Sequence, residues 1–213
     1  MSNRRPALIF DFGNVIAFID YTRGIEALAT RLGLTGPQFL ERVATAGLAA
    51  LAGRYESGAI STDEFSRSAR AMIGADLEHD EFAALWADIF SLNEPVAALA
   101  RELKGRGYTL LVGSNTNELH ARQFRRQFAG TLAHFDSQIL SFEVGQCKPA
   151  AEFYQACARA AQADPGDCLF IDDSPANVAG AVAAGLVGHH FRDVPTLISD
   201  LRRLGVDVDG LQL

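Results

Sequence analysis

Apolar residues along the chain fall into two patterns. Short unbroken runs at Ala7–Phe10, Tyr108–Val112, Ile139–Leu140, Cys168–Ile171 and Val187–Phe191 read as strands, since a strand covered on both faces loses its polar–apolar alternation. Between them, apolar positions recur at helical spacing. Val96, Leu99, Ala100 and Leu103 follow Pro95, which suits a first helical position; Phe153, Cys157 and Ala160 mark a second face, and Leu197, Leu201 and Leu204 a third. Strands alternating with helices predict an α/β fold, a Rossmann-like, doubly wound parallel sheet.

The first interval departs from this rhythm. Asp11 and the strand beginning at Tyr108 are nearly a hundred residues apart, whereas a simple βαβ unit takes about 30 in all. The surplus is helical in pattern: Ile25, Leu28, Ala29, Leu32; then Phe65, Ala69, Met72, Ile73; then Phe82, Leu85, Trp86, Ile89. Ser61 with Glu64 three residues on reads as a capping box for the second of these helices. The expected organisation is a catalytic core of residues 1–17 and 93–213, with residues 18–92 inserted as a helical cap. Parallel α/β sheets bind ligands beyond the carboxyl ends of their strands, so an insertion leaving strand one stands over that place as a lid.

Composition narrows the setting. Nineteen basic against 26 acidic residues give a net charge of −7, the wrong sign for nucleic acid or an anionic membrane surface. Cys147, Cys157 and Cys168 form no C-x-x-C pair and are too few for a disulfide framework, which suits a reducing cytoplasm. The four-residue apolar run before Asp11 is too short for a secretory signal. The stretch Val178–Gly188, free of polar side chains, falls short of the ~20 residues that span a bilayer. The expectation is a cytoplasmic monomer or homodimer.

The strand ends carry the chemistry. Asp11 follows ALIF, Ser114 and Asn115 follow TLLVG, Asp172 and Asp173 follow CLFI, and Lys148 precedes a helix. Three carboxylates on one edge of a sheet repel one another unless a cation lies between them, and hard oxygen ligands without a His or Cys set suggest Mg²⁺. A hydroxyl, a backbone N–H at a helix start and an ammonium complete a set suited to a tetrahedral dianion, so the expected partner is a small phosphorylated metabolite.

This order of motifs, DFGNV at 11–15, GSNTN at 113–117, CKP at 147–149 and IDDSPANV at 171–178, resembles the haloacid dehalogenase (HAD) superfamily. The likeness is to its phosphatases with a helical, C1-type cap, and within them to the subgroup containing α-D-glucose-1-phosphate phosphatases. The resemblance implies that Asp11 is a nucleophile forming an aspartyl-phosphate, that Ser114, the Asn115 backbone and Lys148 hold the phosphoryl group, and that Asp11, the Gly13 carbonyl and Asp172 bind Mg²⁺. It implies that Asp173 holds a metal water or orients Lys148. Asn177 is either an outer member of the site or a residue that fixes its helix start.

The chain departs from the family pattern at Gly13, where most such phosphatases carry a second Asp that protonates the leaving oxygen, a role worth typically 10²–10⁴-fold. The departure suggests a slow enzyme, or one restricted to leaving groups that need little protonation; a sugar 1-phosphate fits, with Asp20 as a substitute acid. Two alternatives stand: a metal-independent 2-haloacid dehalogenase, against which Asp172 and Asp173 speak by repelling a carboxylate substrate, and a catalytically weak phosphate-binding regulatory protein. Plainer readings hold elsewhere. His189 and His190 alternate faces of a strand and read as packing, Cys147 as an incidental thiol despite its neighbour Lys148, and Tyr21, Arg54 and Tyr55 as surface residues or substrate contacts.

Overall fold

Each of the five apolar runs becomes a strand of one parallel sheet. The first half of the chain runs β1 (Ala7–Phe10), β2 (Ala17–Ile19), α1 (Thr22–Arg31), α2 (Gly36–Ala46), α3 (Leu48–Glu56), α4 (Thr62–Ile73), α5 (His79–Ala87), β3 (Phe90–Leu92) and α6 (Glu94–Gly105). The second runs β4 (Leu110–Ser114), α7 (Glu118–Gln127), α8 (Ala129–Leu132), β5 (Ser137–Leu140), α9 (Ser141–Val144), α10 (Ala151–Ala161), β6 (Cys168–Asp172), α11 (Pro175–Ala183), β7 (Val187–His190) and α12 (Val194–Arg203). These come from a computed structural model that describes residues 5–211; residues 1–4 and 212–213, at the ends of the expected core, lie outside it.

The sheet order is β5-β4-β1-β6-β7, so the chain moves outward from β1 on one side and then returns to its other side. That reversal beside β1 opens a crevice at the carboxyl ends of β1, β4 and β6. Alternation along the strands feeds two cores. Leu8, Phe10, Leu110, Val112, Leu169 and Ile171 pack on one face, while Ala7, Ile9, Leu111, Cys168 and Phe170 pack on the other. Both faces being apolar, the runs are unbroken in sequence.

Strand boundaries shift toward the site. β4 begins at Leu110, two residues later than the apolar run, and continues through Ser114 because Gly113 and Ser114 pair with Ile139 and Leu140 of β5. Asp172 likewise ends β6, paired with His190. Both residues stand on the ladder itself, where main-chain bonds hold them, and not in the following loops.

Between β1 and β4 the chain first forms β2, which pairs antiparallel with β3 through Ala17–Leu92 and Ile19–Phe90. Neither strand was evident from periodicity, since each has only three residues. Five helices stand between them with a hydrophobic cluster of their own, including Leu28, Phe39, Leu51, Tyr55, Phe65 and Phe82. Tyr55 and Phe65 stack with ring centroids 4.4 Å apart. Ser61 accepts from the Glu64 N–H, but the Glu64 carboxylate pairs with Arg54 and does not return to Ser61, so only half of the expected box forms. The complete box is at α2, where the Thr35 hydroxyl accepts from the Gln38 N–H and the Gln38 side chain accepts from the Thr35 N–H.

Some expected faces rotate. α10 buries Phe153, Tyr154, Cys157 and Ala158 and leaves Ala160 outside; Met72 is exposed on α4, and Leu204 is exposed just past the end of α12.

Candidate active site

The main-chain ladder carries β1 one bond further: the Asp11 N–H donates to Ile171 O at 2.8 Å, which fixes Asp11 at the sheet edge next to Asp172. The chain then turns down into the core at Phe12, whose ring stacks on Phe124 with centroids 4.1 Å apart and meets Phe90 edge-on. Asn14 adopts φ 56°, a left-handed conformation that Asn tolerates better than most residues, and its Nδ2 donates to Asp173 Oδ2 at 3.1 Å.

Lys148 is the hub. Its Nζ pairs with Asp11 Oδ1 at 2.9 Å and donates to Asp172 Oδ2 at 2.7 Å and to Gly113 O at 3.1 Å. The loop that delivers it is clamped by Asn115: the Lys148 N–H donates to Asn115 Oδ1 at 2.7 Å, and Asn115 Nδ2 donates to Lys148 O at 3.0 Å. Gly113 is required beside it, since a Cβ there would meet Ile9 Cγ2 and Phe170 Cε2 at 2.9 Å. Asp172 is fully buried and accepts from the Ser174 N–H at 2.8 Å and from Asn177 Nδ2 at 3.0 Å as well as from Lys148. Asn177 thus bonds Asp172 directly. Lys148 is oriented by Asp11 and Asp172, and Asp173, bonded to Asn14, takes no part in holding it.

Charge and burial act against each other here. Burial, reinforced by the Asp172 charge and opposed by Lys148, holds the Asp11 carboxyl up at about 7. Burial draws the Lys148 ammonium down, but the two carboxylates outweigh it and hold it above its ordinary value. The Phe12 N–H, which donates at 2.7 Å, and the Lys148 ammonium both meet Asp11 at Oδ1 and leave Oδ2 open. One carboxylate oxygen from each of Asp11, Asp172 and Asp173 lies within 4.8 Å of the others, a hard-oxygen triad that fits a small divalent cation such as Mg²⁺.

These groups face a cleft of about 140 Å³ that Asp11, Gly13, Ser114, Asn115, Lys148, Asp173 and Asn177 all line. Asp20 does not. It is exposed, and the Thr22 hydroxyl together with the Thr22 N–H, which donates at 2.8 Å, holds its carboxyl below the usual range, the wrong direction for a proton donor. At Gly13 the space that a side chain would enter is taken by Ile19, whose Cδ1 lies 2.6 Å from an added Cβ.

Tyr21, read from the sequence as a surface residue or a substrate contact, lines the cleft, together with two groups that sequence reading missed, Glu56 and His120. Glu56, at the end of α3, has its carboxyl raised by burial. His120 Nδ1 accepts from Asn117 Nδ2 at 3.0 Å and its Nε2–H donates to Trp86 O at 3.2 Å, so one neutral tautomer satisfies both nitrogens; burial lowers its pKa to about 4. Nothing in the local sequence marks Glu56 and His120, because they come from separate helices, α3 and α7, and share a cleft only in the folded chain. Tyr55, expected at the surface, is buried; its hydroxyl bonds Thr62 Oγ1 at 2.8 Å and accepts from the Leu119 N–H at 3.1 Å. Cys147 is held above its ordinary pKa, chiefly by burial, with Lys148 opposing. His189 and His190 turn to separate partners, Asp200 and the Asp173 carbonyl.

A family model for haloacid dehalogenase-like hydrolases matches residues 6–185. The chain belongs to this family. It is 27% identical over 179 residues to a D-ribitol-5-phosphate phosphatase of Bacteroides thetaiotaomicron, covering 80% of this chain and 84% of that one. It is 30% identical over 155 residues to a sesquiterpene phosphatase of Aspergillus oryzae, covering 71% and 77%. The crystal structure of a HAD family enzyme from B. thetaiotaomicron superposes with a TM-score of 0.78 at 26% identity, over 91% of this chain and 98% of that chain; a second structure of that enzyme holds magnesium and inorganic phosphate. This HAD-family chain is therefore a hydrolase, and among its described residues no helix is long and apolar enough to cross a membrane.

Proposed function

We propose that this HAD hydrolase is a Mg²⁺-dependent phosphomonoesterase that works through an aspartyl-phosphate on Asp11. The observation that supports it most is the Lys148 hub, where one buried ammonium joins the open-sided Asp11 to the buried Asp172. Asp11 Oδ2 attacks phosphorus, the bond to the ester oxygen breaks, and the alcohol leaves with a proton; water then cleaves the acyl phosphate to release inorganic phosphate and restore the carboxylate. Lys148 and Ser114 hold the phosphoryl oxygens, with the Asn115 main chain at the adjoining strand end. Asp11, Asp172, Asp173 and the Gly13 carbonyl are the residues that would hold Mg²⁺. Bound there, the ion neutralises carboxylate repulsion and the charge developing on the phosphoryl group.

With Gly13 lacking a side chain and Asp20 outside the cleft, the proton for the leaving oxygen falls to Glu56, the carboxylic acid that lines the far wall. Residues 18–92 serve as the cap, and the division from the core falls at β2 and β3. The motif resemblance and the ribitol-phosphate relative support a sugar phosphate as substrate, whereas the sesquiterpene phosphatase supports a hydrocarbon one. The free cysteines suit a cytoplasmic protein, monomeric or homodimeric.

The test is a panel of phosphorylated metabolites assayed with Mg²⁺ and with EDTA, with Asp11→Asn as control. Phosphate release that requires Mg²⁺ and falls at least ~10⁴-fold in Asp11→Asn is expected. Halide release from 2-haloacids in EDTA would replace this reading with dehalogenation, and metal and phosphate binding without turnover would replace it with a regulatory role.

A further inference from the structure

A second cavity, of about 410 Å³, lies within the five-helix segment, a volume in the range of small-molecule sites. Its wall is carbon: Leu28 of α1, Phe39 and Val43 of α2, Leu48 and Ala52 of α3, and the ring of Trp86 from α5 belong to it. Polar side chains enter at one end, where Tyr21, Glu56 and His120 line both this cavity and the catalytic cleft. The two spaces therefore share a rim, with the phosphate-binding groups on one side and hydrocarbon on the other. Leu40, which also lines the cavity, is half exposed, so the cavity reaches the surface there.

We infer that this cavity is the leaving-group pocket of the same site and that it takes the hydrocarbon part of an amphipathic phosphomonoester, such as a medium-chain alkyl or isoprenoid phosphate. The inference rests on the phosphatase reading and narrows it. An ester held by Lys148 and Ser114 with its alcohol oxygen near Glu56 has its alcohol half at the shared rim. A polyol pushed past that rim loses water and finds few partners, since both nitrogens of His120 are already spent on Asn117 and Trp86. A hydrocarbon chain loses nothing by leaving water and fills a space that otherwise leaves its walls without packing partners.

The experiment is a series of n-alkyl monophosphates, from ethyl to decyl and kept below micelle-forming concentration, assayed with Mg²⁺ beside glucose 1-phosphate and ribitol 5-phosphate. kcat/KM is expected to rise about three- to fourfold per methylene until the cavity is full, and to exceed that for both polyol esters. Ala52→Trp, which fills the cavity, and Leu40→Glu, which charges its exposed lip, are expected to flatten that slope. Affinity is read separately, by calorimetry of decyl phosphate against inorganic phosphate on Asp11→Asn protein with Mg²⁺. Hydrolysis indifferent to chain length, or faster on the polyol esters, overturns the pocket assignment and leaves the phosphatase reading intact. No turnover of any ester, with decyl phosphate still bound at least 30-fold more tightly than inorganic phosphate, sinks the phosphatase reading and upholds the pocket. Neither turnover nor preferential binding removes both.

Discussion

At the carboxyl edge of the sheet one ammonium is held by two carboxylates and a carbonyl, all within 3.1 Å, whereas the cavity among α1–α5 presents carbon over most of its wall. The first region is preorganised by charge: Lys148, Asp11 and Asp172 stay in place because each removes the cost of burying the others. The second is preorganised by packing: Phe82 and Trp86, which line it, stack on each other and meet Phe65, on which Tyr55 stacks in turn. The division has a chemical logic. Phosphoryl transfer needs fixed charges at set distances, while holding an alcohol group needs only a wall of the right polarity and size.

The largest expected effect comes from removing the hub. Lys148→Met keeps the length of the side chain and leaves Asp11 and Asp172 buried without a counter-charge. Breaking a buried ion pair in this way costs about 3–5 kcal/mol. Urea unfolding in EDTA is expected to show that loss, and Mg²⁺ is expected to recover part of it if the three carboxylates share a cation. Equal losses with and without Mg²⁺ would falsify the shared cation site.

A smaller effect is expected at the rim where the two regions meet. Glu56→Gln removes the proposed proton donor and keeps its shape. Hydrolysis of an alkyl phosphate, whose leaving alkoxide needs the proton, is expected to fall about 10²–10⁴-fold, and that of p-nitrophenyl phosphate within about tenfold. Since burial raises the Glu56 pKa, the wild-type rate on the alkyl ester should hold to higher pH than an ordinary carboxylic acid allows and then decline as the acid ionises. That decline should be missing from the Gln variant. Equal losses on both esters would assign Glu56 to packing instead of proton transfer.

The same contrast explains what was legible in the sequence. Asp11, Ser114 and Asp172 were legible because a strand end is a position: an apolar run stops, and the next polar residue stands at the edge of the sheet. Lys148 was legible by its motif, although its pairing with Asp172, with Asp173 left to Asn14, arises only in the folded chain. Glu56 and His120 were not, because a helix shows its buried stripe but not which residue of the boundary turns toward a cleft made by other helices. Tyr55 failed for a related reason. Its polar tip suggested the surface, yet Thr62 and the Leu119 N–H satisfy the hydroxyl internally. β2 and β3, at three residues each, are too short to show any period.

The mildest test probes the junction of α7 with the helical segment, where His120 bonds Asn117 on its own helix and the Trp86 carbonyl on α5. In the folded protein His120 keeps its proton off down to about pH 4; in the unfolded chain it titrates near 6.5. Between those values the unfolded state binds a proton that the native state does not, so this residue makes stability fall as pH is lowered from 6.5 toward 4. At 1.36 kcal/mol per pKa unit the full window amounts to about 3 kcal/mol. His120→Gln has no such proton. Its stability deficit against wild type at pH 7 is therefore expected to shrink by that amount as pH falls to 4. Urea unfolding of both proteins at pH 7, 5.5 and 4 reads the change; a deficit that stays constant means that the folded and unfolded chains protonate this imidazole alike, which overturns the neutral, doubly bonded His120 at the junction of α7 and α5.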